Sequence, residues 1–156
     1  MAADAIHSAN QTAIFRHILV PTDGSESSVA AGQMAVRLAT VHGARITFVY
    51  VIDDSVVDEL VRASRRTDAQ VHDELEQKGL HYLHYLMRLA ASAGVMSAQE
   101  TRFGKPYHEI HILARERQVD LIVMGRASHP RPQQLRIGDV TTRVLDRSPC
   151  PVLVVQ

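Results

Sequence analysis

The chain alternates between short apolar runs and longer stretches in which apolar residues recur at helical spacing. Four runs are typical of β-strands, namely residues 14–20 (IFRHILV), 45–52 (RITFVYVI), 121–124 (LIVM) and 152–155 (VLVV). The run LIVM is apolar at both odd and even positions, as expected for a parallel strand buried on both faces. A fifth run, residues 97–103, is mostly polar and predicts an edge strand, where one side meets water.

The stretches between these runs have helical periodicity. Residues 26–42 form one predicted helix, which Gly43 ends because glycine tolerates the left-handed conformation of a helix C-cap. Residues 55–94 form a long helical region with one apolar stripe, and Gly79 marks a predicted break in it. Residues 107–117 and the segment around Val144 predict the last two helices, the first of which follows a turn at residues 104–106.

Strands that alternate with helices predict an α/β fold, with five parallel strands in a doubly wound sheet joined by right-handed crossovers. The length of 156 residues and the hydrophobic content of 46% suit a single domain, which we place at residues 14–156. Residues 1–13 are small and polar without a sustained period, so we expect a flexible N-terminal extension.

Two glycine-containing loops fall where such a fold binds ligands. Turn formers occupy residues 21–25 after the first strand, while Gly125 opens and Gly138-Asp139 closes the loop after the strand LIVM. In open α/β sheets, ligands bind beyond the carboxyl ends of the strands, where helix N-termini present unpaired amide groups to anions. We therefore predict an anion-binding crossover between Val119 and Val144.

Composition excludes several classes of function. Seventeen basic and seventeen acidic residues leave no net charge, so we expect neither nucleic acid nor an anionic membrane as a partner. The chain has no apolar run near the roughly 18 residues of a membrane span and no signal-peptide pattern, which predicts a cytoplasmic protein. The single cysteine, Cys150, excludes an internal disulfide, and we interpret it as a packing residue between two prolines.

The motifs of several enzyme and cofactor classes are missing or incomplete. No G-x-G-x-x-G follows the first strand, and Gly138 is followed by Asp139 and not by the lysine of a P-loop. His81 and His84, like His108 and His111, lie three residues apart, but two imidazoles are too few for a zinc site. Ser128 and His129 are neighbours in sequence and do not make a catalytic triad. We therefore predict neither a metal site nor a dedicated enzyme.

Three segments resemble the universal stress protein family: ILVPTDGSESS near the start, ITFVYVID at the second strand, and IVMGRASHPRPQQLRIGDVTTRVLDRSPCPVLVV at the end. The similarity covers nearly the whole chain from Ile14, and its specificity lies in the order of the pieces. It implies an adenine nucleotide alpha hydrolase-like sheet with strand order 3-2-1-4-5 and helices on both faces. It also implies a stress-response module that acts by binding and association.

The resemblance further implies a nucleotide site. Pro21, Thr22 and Asp23 would line its adenine and ribose end, with Val51 beside the base. In nucleotide-binding members the late loop reads Gly, two residues, Gly, nine residues, Gly and then Ser or Thr, and its amides and final hydroxyl hold phosphates. This chain has the first glycine, Gly125, and the last, Gly138, but it has Ser128 at the middle glycine and Asp139 at the hydroxyl residue. The candidate loop residues are Met124, Gly125, Arg126, Ser128, Gly138 and Asp139.

The two departures differ in their expected cost to phosphate binding. Ser128 in place of glycine costs on the order of 1 kcal/mol if the backbone there needs positive φ. Asp139 in place of a hydroxyl residue repels a phosphate oxygen about 4 Å away by roughly 4 kcal/mol at an effective dielectric near 20. Arg126, Arg131 and Arg136 could offset this repulsion if they face the phosphates. Asp139 could itself cap the last helix.

We therefore predict a degenerate site with weak or absent ATP binding and no certain cofactor. The alternative is a genuine ATP-binding member with slow ATP hydrolysis, in which Asp23 helps hold the Mg²⁺ complex of ATP or AMP. His17, which we place with Asp23 in the binding loop, gives no better support for catalysis. The apolar strand at residues 152–155 predicts a homodimer paired through this edge, with unidentified protein clients as further partners.

Overall fold

The computed structural model describes residues 13–126 and 137–156 as a parallel sheet between two layers of helices. The strands are β1 (His17–Pro21), β2 (Arg45–Asp53), β3 (Ser97–Gly104), β4 (Leu121–Gly125) and β5 (Val152–Val155). The helices are α1 (Glu26–His42), α2 (Asp54–Ala63), α3 (Asp68–Ser92), α4 (Pro106–Glu116) and α5 (Asp139–Arg147). The strand order is β3-β2-β1-β4-β5, with all neighbours parallel, so the predicted fold is confirmed.

The sheet separates two hydrophobic cores. Side chains alternate across β2, so that Phe48 faces the core beneath α1, α2 and α3, whereas Val49 faces the core beneath α4 and α5. Both residues are fully buried, and Leu83 of α3 and Leu113 of α4 are fully buried in their respective cores. The apolar runs of β1, β2 and β4 follow from this burial on both faces. The polar strand β3 lies at a sheet edge, as predicted.

The first strand begins later than the apolar run indicated. The prediction placed it at residues 14–20, but β1 spans His17–Pro21 and the side chain of Ile14 is 74% exposed. The amides of Arg16 and His17 donate to the carboxylate of Asp120 at 2.9 and 3.1 Å. Asp120 thus holds the chain where it enters the sheet, and the pairing of β1 with β2 begins at His17, opposite Arg45.

The long helical region is two helices, and the predicted break at Gly79 is wrong. The helix ends at Ala63 and restarts at Asp68, because Thr67 and Gln70 form a capping box: the Gln70 amide donates to Thr67 Oγ1, and the Thr67 amide donates to Gln70 Oε1. Gly79 lies buried inside α3. A Cβ atom there would come within 2.2 Å of Cδ1 of Tyr50, so this glycine makes room for an aromatic ring.

The crossover helices begin and end with recognisable caps. Ser25 Oγ accepts from the Ser28 amide at the start of α1, and Gly43 ends that helix with φ of 64°. Asp53 caps α2 through its Oδ1 atom. Among the described helices, none is both long and apolar enough to cross a membrane.

Candidate functional site

The loop after β1 is held at the carboxyl edge of the sheet by backbone and hydroxyl contacts. The Thr22 amide donates to the Val49 carbonyl at 2.8 Å, which extends the β1–β2 pairing by one residue. Thr22 is 5% exposed, its Oγ1 lies 3.1 Å from Ser28 Oγ, and it accepts from the Gly24 amide at 3.3 Å. The Thr22 hydroxyl therefore fixes the loop to the start of α1.

Asp23 is the exposed residue of this loop, and its neighbours set its position. Its Oδ1 accepts from the Ser25 amide at 2.9 Å. Gly24 has φ of 79°, and a Cβ atom there would meet the ring of Tyr82 at 2.1 Å, so the loop packs directly beneath α3. Burial, then Tyr82 and then Asp23 raise the pKa of the Tyr50 hydroxyl, so this phenol stays protonated in the polar corner under the loop.

Gly125 lies at the end of β4 against the start of α1. A Cβ atom at this position would stand 2.5 Å from Ser27 Oγ and 2.6 Å from the Ser27 carbonyl carbon. The sequence indicated only that Gly125 opens the late loop, whereas the structure shows a close approach between two backbone segments. A glycine is needed here because any side chain would push β4 and α1 apart.

Arg126 and Gly138 join the two ends of the late loop. The Arg126 amide donates to the Val155 carbonyl of β5, and the Gly138 amide donates to the Arg126 carbonyl, each at 2.8 Å. The loop thus leaves and re-enters the sheet edge at one point. Residues 127–136 lie outside the described residues, and with them the candidate Ser128, its neighbour His129 and the loop arginines Arg131 and Arg136.

Helix α5 starts at this junction. Gly138 is its N-cap residue and supplies no side-chain cap, and Asp139 is the first helical residue with an exposed side chain. The predicted capping role of Asp139 is therefore wrong in its geometry, since the capping position is one residue earlier. In the first turn its charge still stabilises the positive end of the helix dipole, by about 0.3–1 kcal/mol.

The exposure of Asp139 lowers the repulsion that we expect between its carboxylate and a bound phosphate. Solvent screening moves the repulsion from roughly 4 kcal/mol towards the value of about 1 kcal/mol that applies in water at the same 4 Å distance. The penalty persists because the carboxylate stands beside the amides that an anion would use. It is a graded penalty on phosphate binding, not a complete block.

Three structural contacts at the site were not predicted from the sequence. Thr141 is buried, and its Oγ1 donates to the Gly125 carbonyl at 3.0 Å, which ties α5 to β4. Ser27 forms the surface against which Gly125 packs, and Tyr82 covers Gly24. The hydroxyl residue two positions after Asp139 was the available signal for Thr141, whereas nothing local in sequence connects Ser27 with Gly125 or Tyr82 with Gly24.

The described candidate residues all lie at one edge of the sheet. Pro21, Thr22 and Asp23 come from the end of β1, and half-buried Val51 comes from β2 on the side of α4 and α5. The remaining described candidates come from the end of β4 and the start of α5: Met124, Gly125, Arg126, Gly138 and Asp139. The topology thus brings together two loops that are about a hundred residues apart in sequence.

His17 does not belong to this site. It starts β1 at the amino edge of the sheet, is buried, and lines a groove of about 760 Å³ on the side opposite to Asp23. Its Nδ1 lies 3.1 Å from the Arg117 carbonyl and its Nε2 lies 2.8 Å from Thr47 Oγ1. The assignment of His17 to the binding loop was wrong, because His17 is the first residue of β1 and the binding loop follows the last.

The structure also places the histidine pair of α3 and the single cysteine. His81 and His84 are exposed on α3, and no group of three or more potential metal-binding side chains occurs within residues 13–126 and 137–156. Cys150 is half-buried next to Ser148, and burial raises the pKa of its thiol. The neutral thiol fits the packing role that the flanking prolines indicated.

A comparison with protein families identifies this architecture. The family model of the universal stress protein family matches residues 14–156. The chain belongs to the universal stress protein family. The universal stress protein YxiE of Bacillus subtilis is 31% identical to it over 148 residues, which cover 92% of this chain and 100% of the relative.

Solved structures of the family share the fold. The universal stress protein UspA of Lactobacillus plantarum superposes with a TM-score of 0.76 at 29% identity, covering 93% of this chain and all of that one. At 23% and 19% identity, two more universal stress proteins have TM-scores of 0.70 and 0.65 and were solved in complex with cAMP and, for the Archaeoglobus fulgidus protein, dAMP. They cover 92% of this chain and 98% and 99% of their own lengths.

Proposed function

We propose that this universal stress protein works in the cytoplasm as a stress-response module that acts by binding and association, and that its adenine-nucleotide site is degenerate. The observation that carries the proposal is the exposed carboxylate of Asp139 at the first position of α5, directly after the Gly138 amide that closes the phosphate-side loop. Family members that accept phosphate here have a neutral hydroxyl residue at this position.

The base side of the site supports retention of adenosine-like ligands. Thr22 and Asp23 are held in a packed loop, and Val51 and Met124 present apolar surface on the same side of the sheet. The structural neighbours bound to cAMP and dAMP carry ligands with a single phosphate. A monophosphate brings less negative charge to Asp139 than a triphosphate does, so we expect the penalty to grow along the series adenosine, AMP, ATP.

We propose that the module acts on its partners by binding them and not by turning over a substrate. We propose protein clients, with no role for nucleic acid or a membrane, because the composition carries no net charge that would recruit an anionic polymer or surface.

The rival function is slow hydrolysis of ATP, favoured by the exposed position of Asp23 at the end of β1, where a carboxylate can help hold a Mg²⁺-nucleotide complex.

Equilibrium titration of the protein with adenosine, AMP and ATP, in the presence of Mg²⁺, tests the proposal. We expect ATP to bind no more tightly than adenosine. A phosphate-release assay in parallel compares the unaltered protein with Asp23→Asn, which keeps the side-chain shape. Gly125→Ala is unsuitable as a control, because its Cβ would collide with Ser27. Submicromolar ATP binding, or phosphate release that depends on Asp23, would contradict the proposal.

A further inference from the structure

A second cleft lies between α4 and α5, along the part of α5 that begins one helical turn after Asp139. Its volume is about 240 Å³. None of the residues lining it is a carboxylate, and none belongs to the candidate nucleotide set. The lining residues that carry the argument are Tyr107, His111, Ile122, Arg143, Val144 and Arg147.

The floor of the cleft is apolar and its rim is cationic. Ile122 of β4 and Val144 of α5 are buried core residues. Arg143 and Arg147 are exposed and stand one helical turn apart on α5, so their like charges repel each other. Neither guanidinium forms an ion pair with any described residue. An anion between them would relieve that repulsion.

The aromatic wall orients one of the two arginines. Cζ of Arg143 lies 4.9 Å from the centre of the Tyr107 ring, within the range of a cation–π contact. This contact holds the planar guanidinium group in place, so less conformational freedom is lost when it pairs with a ligand oxygen. The guanidinium fork suits the paired oxygens of a phosphate.

His111 adds a hydrogen-bond donor beside this pair. Its Nδ1 is buried and has no hydrogen-bond partner among the described residues. In the neutral ring the proton therefore belongs on Nε2, because a proton on Nδ1 would create a buried donor without an acceptor. His108, the other histidine of the cleft, is exposed and lies 3.6 Å from the carboxylate of Glu109, so we assign it no role.

We propose that this cleft binds a small phosphate monoester with an apolar carbon body. The cleft, with a volume of about 240 Å³, has room for one phosphate and a single small ring. Arg143 and Arg147 receive the phosphate, the Nε2–H of His111 donates to one of its oxygens, and the ring packs against Tyr107 and the small exposed part of Val144. The inference is independent of the proposed nucleotide function.

Phenyl phosphate is the probe for this cleft, with inorganic phosphate and phenol as its two halves. In calorimetric titrations of the full chain, phenyl phosphate should bind saturably and at least several-fold more tightly than either half. The double variant Arg143→Gln/Arg147→Gln should weaken it by about tenfold or more, as expected from the loss of charge-assisted hydrogen bonds. His111→Phe, which keeps the ring but removes the donor, should weaken it less.

Two controls make the result specific. Arg88→Gln removes one exposed arginine from α3 and should leave phenyl phosphate affinity unchanged. Circular dichroism of each variant checks that the fold is intact, and the glutamines retain the length and polarity of the helix surface. The absence of saturable binding, equal binding of inorganic phosphate, or unchanged affinity in the double arginine variant would each overturn the proposal.

Discussion

Buried polar residues show most clearly how the fold assigns chemistry to individual positions. His17 is buried, and the Arg117 carbonyl next to Nδ1 can only accept, so the neutral ring carries its proton on Nδ1. Nε2 then accepts from the Thr47 hydroxyl. Burial, followed by the positive charge of Arg45, lowers the pKa of His17 below its usual 6.5, although Asp120 acts in the opposite direction.

This environment predicts a pH-dependent contribution to stability. Because the pKa of His17 is lower in the folded than in the unfolded chain, its contribution is complete above pH 6.5 and is lost as the pH falls below it. His17→Gln should therefore be most destabilising near neutral pH, with a difference from the unaltered protein that shrinks towards about pH 5. Urea denaturation across this range measures the effect. A His17 ring that titrates at or above pH 6.5 by NMR would contradict it.

At the scale of elements, the sequence predicts which segments are strands and helices better than where they end. The alternation of apolar runs and helical stripes predicted all five strands, most clearly β1, β2 and β4, because burial on two faces leaves a pattern that no loop has. The break between α2 and α3 was missed, although residues 62–70 (RASRRTDAQ) interrupt the apolar stripe and the pair Thr67 and Gln70 signals the start of a new helix. Gly79 was misinterpreted as a break because the Tyr50 ring, which leaves no room for a side chain at this position, lies on another element.

For the candidate site too, the sequence predicted the location better than the detailed geometry. Its location followed from the loops at strand ends, whereas the contacts that shape it, such as Gly125 against Ser27, join segments far apart in sequence. The capping role of Asp139 failed by one residue, a shift that periodicity cannot resolve. Sequence thus predicts the edge and the participants of the site, and the packing between elements sets their geometry.

The packing of Gly79 predicts an inverted effect of a common helix mutation. Glycine to alanine within a helix usually stabilises by up to about 1 kcal/mol. Here Gly79→Ala should destabilise by about 1–3 kcal/mol, because the new methyl group overlaps the Tyr50 ring. The free energy of unfolding in urea measures it, with Gln77→Ala on the exposed side of α3 as a neutral control. A stabilised Gly79→Ala variant, or an equal cost in a Tyr50→Ala background, would refute the explanation.

At the scale of the whole molecule, the two sheet edges differ in how they meet their surroundings. The edge strand β3 is polar, with charged residues such as Glu100 and Arg102, whereas β5 is four apolar residues. The Val155 carbonyl faces β4, where it accepts from Arg126, so the backbone groups of Val154 face outward from the sheet. Among the described strands, β5 has a neighbour on one side only. Apolar side chains and outward backbone groups together make this edge suitable for pairing.

We propose that two copies of the chain pair through residues 152–155 to form a homodimer. Val154→Asp should shift the protein towards monomer, because the twofold arrangement brings the two new carboxylates close together. Ala98→Asp on the opposite edge strand is the matched control and should leave association unchanged. Sedimentation equilibrium distinguishes the states. A monomeric unaltered protein at micromolar concentration, or a Val154→Asp variant that still dimerises normally, would argue against this edge.

The central claim, that Asp139 weakens phosphate binding at an otherwise retained adenosine site, is tested most directly by calorimetric titration of ATP and adenosine into the unaltered protein and Asp139→Asn. Asparagine keeps the shape and removes the charge, and Asp146→Asn removes an equal exposed charge farther along α5. We predict that Asp139→Asn tightens ATP by about fivefold or more and leaves adenosine unchanged, while Asp146→Asn changes neither. Equal gains for ATP and adenosine, or no gain for ATP, would contradict the account.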